Sequence, residues 1–499
     1  MVAISRKALV GIVLILCLVK FSVRADSIKE RISDIGVGLE YLQKNTGLYH
    51  ELQQRIFHYA EPGYQEKKSS KAIAELLKKE GFTIQWGVAA IPTAFVATYG
   101  SSGTTIGILG EYDALTKMSQ AVLPYKKALE EGAAGHSCAH NLIGTASAAA
   151  AVAISKWLKE GKHPGRVKYF GCPAEEGGGG KYYLTREGCF DGCDVIFDWH
   201  PDNVNKVSLS PWQANMRVTF TFKGRSAHAG GAPWDGRSAL DGVECFDIMM
   251  NMMREHVPEG TRIHYIISRG GEAPNAVPAL AQVVYYFRHR KAEVVKEVFN
   301  RALDAAKGAA MGTQTEMEYE VVNACYEKLI NKTLSGIFLQ NLQLSGGIVL
   351  STNEEEFVNE ILENTTKGSS HEGKPLRAYS DIPQEVEPAI DLGYSTDVGN
   401  VSQMVPTATL NIALLPSQAG TLHSWQMAAV AGSSIGTKVL SKVAEVFYLS
   451  AIEIYTNEKE LKLIKDEFHQ ARGKNPVFVP LTNRMPPLDY TAQVPSGKK

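Results

Sequence analysis

Four short segments of the chain carry side chains that bind metals or move protons. His136-Ser137-Cys138-Ala139-His140-Asn141 offers a thiol and an imidazole one residue apart. Thiolate and imidazole both suit zinc, manganese and similar divalent ions, and two such ligands on one loop can face one metal pair. Taken alone, this segment reads as a polar loop with a buried thiol. Pro173-Ala174-Glu175-Glu176 runs into four glycines, Gly177 to Gly180. Of two adjacent carboxylates, one can bind metal while the other takes a proton from water. A bare acidic turn gains nothing from so much backbone freedom, which is costly to order. Asp198-Trp199-His200-Pro201 and Leu422-His423-Ser424-Trp425 add one histidine each. A lone histidine is more often structural than a ligand. Together, however, the four segments supply Cys138, His140, Glu176, His200 and His423 as a metal-ligand set, with Glu175 left over as a base.

The elements around these segments predict where they meet. Apolar runs over 93–99, 104–109, 167–172, 194–199 and 409–415 predict buried strands, and helical stretches separate them. Ser69 and Ser70 precede Ile73, Leu76 and Leu77, and Gly81 follows, which predicts a capped amphipathic helix. The alanine-rich stretch over 145–158 predicts a buried helix ending at Gly161. Such interleaving implies an α/β domain with a largely parallel sheet. Three of the four segments then fall at the ends of strands, where open α/β sheets place their ligands.

The middle of the chain differs. An alternating strand over 214–223 is followed by a helix over 239–256, strands over 262–268 and 281–288, a helix over 294–311 and a strand over 316–322. This is a small α+β unit inserted into the larger domain. The expected organisation is a signal peptide over 1–25, a catalytic domain over 26–212 and 326–499, and an inserted lid or dimerisation domain over 213–325. Helices over 329–388 return the chain to the catalytic domain, and the tail over 476–499 reads as irregular.

Several segments jointly resemble the aminoacylase and carboxypeptidase class of dinuclear metal-dependent amidohydrolases. They are Gly110-Glu111-Tyr112-Asp113-Ala114-Leu115, His136 to Asn141, Pro173 to Gly180, Trp199-His200-Pro201, Gly224-Arg225-Ser226-Ala227-His228-Ala229, Ser395-Thr396-Asp397-Val398-Gly399 and His423-Ser424-Trp425. The chain resembles the B-subunit branch of the p-aminobenzoyl-glutamate hydrolases, related to hippurate and auxin-conjugate hydrolases, and the likeness runs from about Glu30 to the proline-rich tail. The resemblance implies a metallopeptidase-like catalytic domain holding two divalent ions, Mn2+ or Zn2+, with Cys138 shared between them. It implies that His140, Glu176, His200 and His423 complete the set, and that Glu175 is the general base. Asp113 would orient a ligand as carboxylates commonly do, and Asp397 would support the site. His228 would cross the interface of a homodimer to stabilise the developing oxyanion. Asn275 and Arg288 would hold the amide oxygen or a substrate carboxylate.

This chain departs from the family pattern in two places. Ala139 stands where the family usually has glycine. An apparent signal peptide is unlike the cytoplasmic relatives that act on folate breakdown products, so another conjugate is open as substrate. Arg6 and Lys7 precede an apolar stretch from Ala8 to Val19, and Val23-Arg24-Ala25 offers small side chains for a signal peptidase. The expectation is export to the periplasm, a secretory organelle or the medium, with no stable membrane span after cleavage.

Composition bounds the partners. The 499 residues carry a formal net charge of -1, and no basic run marks a nucleic-acid or membrane footprint. A small-molecule N-acyl or N-aroyl amino acid is the expected partner; a second, different subunit stays open. Cys189 and Cys193 are close enough in sequence to bridge, or are two small buried thiols. Asn331-Lys332-Thr333 and Asn364-Thr365-Thr366 fit the glycosylation pattern. The expected function is hydrolysis of N-acyl or N-aroyl amino acids. A dipeptidase or aminopeptidase, or a non-catalytic binder of conjugates, are the alternatives.

Overall fold

Strands buried on both faces read as continuous apolar runs, whereas half-exposed strands alternate. Both kinds are present in the computed structural model, which describes residues 36–161, 163–365, 376–389, 393–473 and 478–491. The expected signal peptide over 1–25 lies outside the described residues. The chain lays down β1 (Thr83–Trp86), β2 (Phe95–Tyr99), β3 (Thr104–Glu111), β4 (Gly165–Cys172), β5 (Val195–Asp202) and β6 (Lys206–Val207). It then forms β7 (Ala214–Lys223), β8 (Arg262–Arg269), β9 (Leu280–His289) and β10 (Glu316–Cys325), and returns with β11 (Thr407–Ala413).

These strands make two sheets. The larger has the order β1-β2-β4-β3-β5-β11-β6. Its central strands β4, β3, β5 and β11 are parallel, and β1, β2 and β6 pair antiparallel at the edges. The smaller sheet, β10-β7-β9-β8, is antiparallel throughout. Helices Ala239–Met253 and Ala292–Thr313 pack on it over a core that includes Phe220, Phe246, Tyr285, Phe287 and Val298. This is the mixed α/β architecture expected, with a mostly parallel central sheet and an inserted α+β unit.

Register brings the chemistry to one level. Glu111 at the end of β3 stands opposite Cys172 at the end of β4, and His200 on β5 stands opposite Asn411 on β11. Behind them runs helix His140–Lys159, buried from His140 to Ser155. Its alanines let it sit close to the sheet and to helix Ser434–Thr456, and Ser147 Oγ donates to Leu109 O at 2.6 Å. The helix starts five residues before the expected 145, because Leu142 and Ile143 continue its buried face. His140 therefore opens a helix rather than ending a loop.

Two other local expectations are corrected. Helix Lys67–Lys79 begins before Ser69, and its first N–H groups are met from outside: the Glu61 carboxylate accepts from Lys68 N at 3.0 Å and from Ser69 N at 2.9 Å. Ser70 instead bonds back to Glu66 O. Asn331 caps helix Lys332–Ser345, accepting from Leu334 N and donating to Ile464 O. It is buried, so this glycosylation pattern is inaccessible in the folded chain. Cys189 and Cys193 are both free thiols. Among the described residues, no helix is long and apolar enough to cross a membrane.

Candidate metal centre

The candidate donors converge at the carboxyl ends of the parallel strands. Ligand atoms of Cys138, His140 and His200 lie within 4.8 Å of one another, as do those of Cys138, Glu176 and His423, and those of His140, Glu175 and Glu176. The closest approaches are Cys138 Sγ to His200 Nε2 at 3.4 Å and His423 Nε2 to Glu176 Oε1 at 3.0 Å. Cys138, His140 and Glu176 each belong to two of the three groups, so the donors form one continuous cluster.

The backbone is bent to achieve this. Ala139, Ala174 and His423 have φ of 58°, 57° and 62°. Side-chain-bearing residues adopt that left-handed conformation at a cost of about 1–2 kcal/mol. The glycine usual in the family at position 139 follows from this geometry, and alanine adopts it here with a modest penalty. Three of the nine such residues among the described residues thus lie at or beside the candidate donors, and strained backbone recurs at functional sites.

Asp113 orients two donors at once. Its Oδ1 lies 2.9 Å from His140 Nδ1, and its Oδ2 accepts from Glu176 N at 3.0 Å. With the Nδ1 hydrogen committed to Asp113, Nε2 is the atom of His140 left for a cation. That nitrogen sits 3.3 Å from Glu111 Oε2, and neither atom has a hydrogen-bond partner although both are buried. Buried polar atoms left facing each other in this way fit a bound cation. We expect Asp113→Asn to weaken divalent-metal affinity about 10–100-fold with the fold retained, as loss of such outer contacts does elsewhere. Metal titration by calorimetry checks this, and unchanged affinity would remove Asp113 from the site.

Electrostatics separate the donors. Burial opposes ionisation of Cys138, but the neighbouring His200 and His140 imidazoles outweigh it and hold the thiol well below its ordinary range. Burial likewise opposes the charged form of His200, yet Cys138 pushes it up to about 10. His423 is raised to about 11 by hydrogen bonding to Cys138 and Glu176. Glu175 is pushed well above the usual carboxylate range, first by burial and then by the charges of Glu111, Glu176 and Asp397.

Similarity to known proteins accords with this geometry. The chain is 34% identical over 462 residues to the B subunit of p-aminobenzoyl-glutamate hydrolase from Escherichia coli strain K12, covering 88% of this chain and 95% of that one. The chain belongs to the M20 family of metal-dependent amide hydrolases. Residues 213–312 of this M20 hydrolase match the family model for a peptidase dimerisation domain. A mouse Xaa-Arg dipeptidase is 28% identical, over 84% of this chain and 88% of its own. An aminobenzoyl-glutamate utilization protein from Klebsiella pneumoniae shares the fold with a TM-score of 0.56 at 17% identity, over 81% of this chain and 97% of that one. A dinuclear metal-binding M20 peptidase from Bacillus subtilis shares it at 0.51 and 15%, over 81% and 98%. The M20 hydrolase is accordingly an enzyme of divalent metals, with a donor set of the right kind.

None of the three ligand groups includes an expected residue of the inserted unit. His228 and Asn275 are exposed and adjacent: Ala229 N donates to Asn275 O at 3.0 Å. Nδ1 of His228 accepts from Gly230 N and Gly231 N, which leaves Nε2 as the protonated, outward-facing donor. Arg288 donates to Ser395 Oγ at 3.0 Å and lies over the Tyr286 ring. Asp397 accepts from both the backbone N and the Nζ of Lys181, at 2.9 and 2.6 Å.

Sequence reasoning missed three buried charged groups of the M20 hydrolase. Lys181 Nζ also pairs with Glu111 Oε1 at 2.6 Å, so one lysine links Glu111 to Asp397 beneath Glu175. Glu66 accepts from Ala174 N at 2.8 Å and from Thr93 Oγ1 at 2.9 Å, pinning the residue before Glu175. The signals available were Glu111 at the end of an apolar run and Lys181 directly after the glycines.

Proposed function

We propose that this enzyme hydrolyses the amide bond of N-acyl or N-aroyl amino acids such as p-aminobenzoyl-glutamate. The convergence of Cys138, His140, Glu176, His200 and His423 at one strand-end cleft, with Glu175 beside them, carries this reading. Manganese or zinc ions held by these donors would polarise the scissile carbonyl and acidify water. Glu175 takes the proton from the attacking water and delivers it to the leaving amine nitrogen. Thr396 Oγ1, 3.1 Å from Glu175 Oε1, fixes which carboxylate oxygen faces the reaction. Arg288 offers a planar fork to the substrate carboxylate. The match of 213–312 to a dimerisation domain supports a homodimer in which the outward Nε2 of His228 reaches a second copy's cleft and steadies the oxyanion. Pairing with a second, different polypeptide is a further arrangement, since E. coli strain K12 also has an A subunit of p-aminobenzoyl-glutamate hydrolase. Arg6, Lys7 and the apolar stretch to Val19 support export.

A dipeptidase is the second reading, favoured by the similarity to the mouse Xaa-Arg dipeptidase along most of the chain. The two differ in the substrate's amine. A panel of p-aminobenzoyl-glutamate, hippurate, an N-acetyl amino acid and a free dipeptide, assayed with manganese or zinc, separates them. We expect turnover of at least one N-blocked substrate. Turnover of the free dipeptide alone would establish the dipeptidase, and tight binding with no product would leave a non-catalytic binder.

A further inference from the structure

The irregular segment over 478–491 closes a path across the molecule that neither sheet makes by itself. Near its end, Tyr490 OH donates to Glu176 O at 3.0 Å. The Tyr490 ring meets Tyr64 edge-on at 5.6 Å, and Tyr64 OH donates to Gly178 O at 2.8 Å. Two tyrosines thus grip nearby carbonyls of the turn that carries Glu175 and Glu176. The glycines make room for this. A Cβ on Gly63 would stand 2.2 Å from Tyr490 Oη, and one on Gly178 would stand 2.6 Å from Ala174 Cβ and 3.0 Å from the Tyr490 ring.

Gly177 and Gly179 also take φ of 93° and 69°, a conformation only glycine reaches cheaply. A turn of four glycines would be loose if its only restraints were its own backbone bonds. Its geometry needs an outside hold, and the tyrosines supply one.

The rest of the segment is anchored on both units. On the catalytic side, Tyr182 OH donates to Thr482 O at 2.6 Å, Arg186 donates to Arg484 O, and Gln65 donates to Leu488 O. On the side of the small sheet, Arg484 pairs with Glu320 of β10 at 2.8 Å and Tyr326 OH donates to Val479 O at 2.9 Å. Leu481 packs against the core of the small sheet and against a smaller catalytic-side core that includes Tyr64, Phe170 and Tyr182.

We propose that segment 478–491 is part of the catalytic unit: Tyr490 is a positioning residue for the Glu175–Glu176 turn, and the segment ties that turn to the inserted unit. This rests on reading Glu175 as the base and Glu176 as a ligand. The segment acts by restraint alone. It contributes no group to the chemistry, so its loss lowers the fraction of time in which Glu175 is aligned and leaves substrate affinity nearly intact.

Hydrogen exchange followed by mass spectrometry on the full-length enzyme tests this without needing turnover. In Tyr490→Ala, amides over 174–180 should exchange about ten-fold faster or more, while those of β3 and helix His140–Lys159 hold their rates. Tyr490→Phe, which keeps the ring and loses one hydrogen bond, should show an intermediate increase. On whichever substrate of the panel is turned over, Tyr490→Ala should lower kcat about ten-fold with KM within about two-fold, and Tyr490→Phe should recover part of the loss. Unchanged exchange over 174–180 in both variants would overturn the proposal, whatever the activity. Faster exchange in an enzyme that turns over no substrate would uphold the restraint and refute the functional reading.

Discussion

Glu175→Gln will lower kcat by about 10²–10⁴-fold, the usual contribution of a positioned proton-transfer group, while bound metal and thermal midpoint stay as in the parent. The substitution is close to isosteric, and an amide oxygen can still accept the hydrogen bond that Thr396 Oγ1 makes to Oε1. The turn therefore has no reason to move. Only the capacity to take and return a proton is removed. That capacity is favoured by the surroundings: burial, then Glu111, Glu176 and Asp397, push the carboxyl well above its ordinary range, while Lys181 restrains the rise. A carboxylate of ordinary strength would be a weaker base toward the attacking water. Steady-state kinetics beside metal analysis decide the matter. Retained turnover with metal bound would show that another group is the base; lost metal together with lost turnover would place Glu175 among the ligands.

Side chains that were readable from sequence are those whose chemistry is rare outside sites. Cys138, His140, His200 and His423 stand out only jointly: each alone has an ordinary structural reading, but together with Glu176 they make a ligand set, and the structure gathers all four. The central strands were readable because β3, β5 and β11 are buried along nearly their whole length and are largely apolar, while β4 is half-buried at Arg166 and Lys168 and buried from Tyr169 onward. Glu66, Glu111 and Lys181 were not, because a charged residue in sequence is ordinarily solvated and only tertiary pairing reveals one that is buried. Lys181 is fully buried only because two carboxylates meet it. Helix starts failed for a related reason: the acceptor at the head of Lys67–Lys79 is Glu61, outside the local pattern. Tyr490 lies 314 residues from Glu176, beyond any periodicity. His228 and Asn275 were named from resemblance, and both are exposed in the single chain.

Metal loading of the stripped protein will release on the order of two to three protons and will strengthen steeply as pH rises. Without a metal, His200 is raised to about 10 and His423 to about 11, and His140 stands well above its ordinary value because Asp113, Cys138 and Glu111 outweigh its burial. All three imidazoles are then cationic near neutrality, paired with a Cys138 already held as thiolate. A cation can take their nitrogens only by displacing those protons. The sign follows directly. Raised histidine pKa values stabilise the metal-free fold fully below 6.5, and that contribution is lost as pH climbs through about 10. Alkaline pH thus loosens the stripped protein and favours the loaded one, so the stabilisation conferred by metal widens with pH. At metal concentrations near a thousand times the dissociation constant, that stabilisation reaches about 4 kcal/mol. Calorimetric titration in two buffers of different ionisation enthalpy counts the protons, and thermal melts with and without chelator across pH 6 to 9 follow the gap. No proton release would mean that the imidazoles are neutral before metal arrives. The Cys138–His200 contact would then be a thiolate accepting from a neutral imidazole rather than a thiolate–imidazolium ion pair.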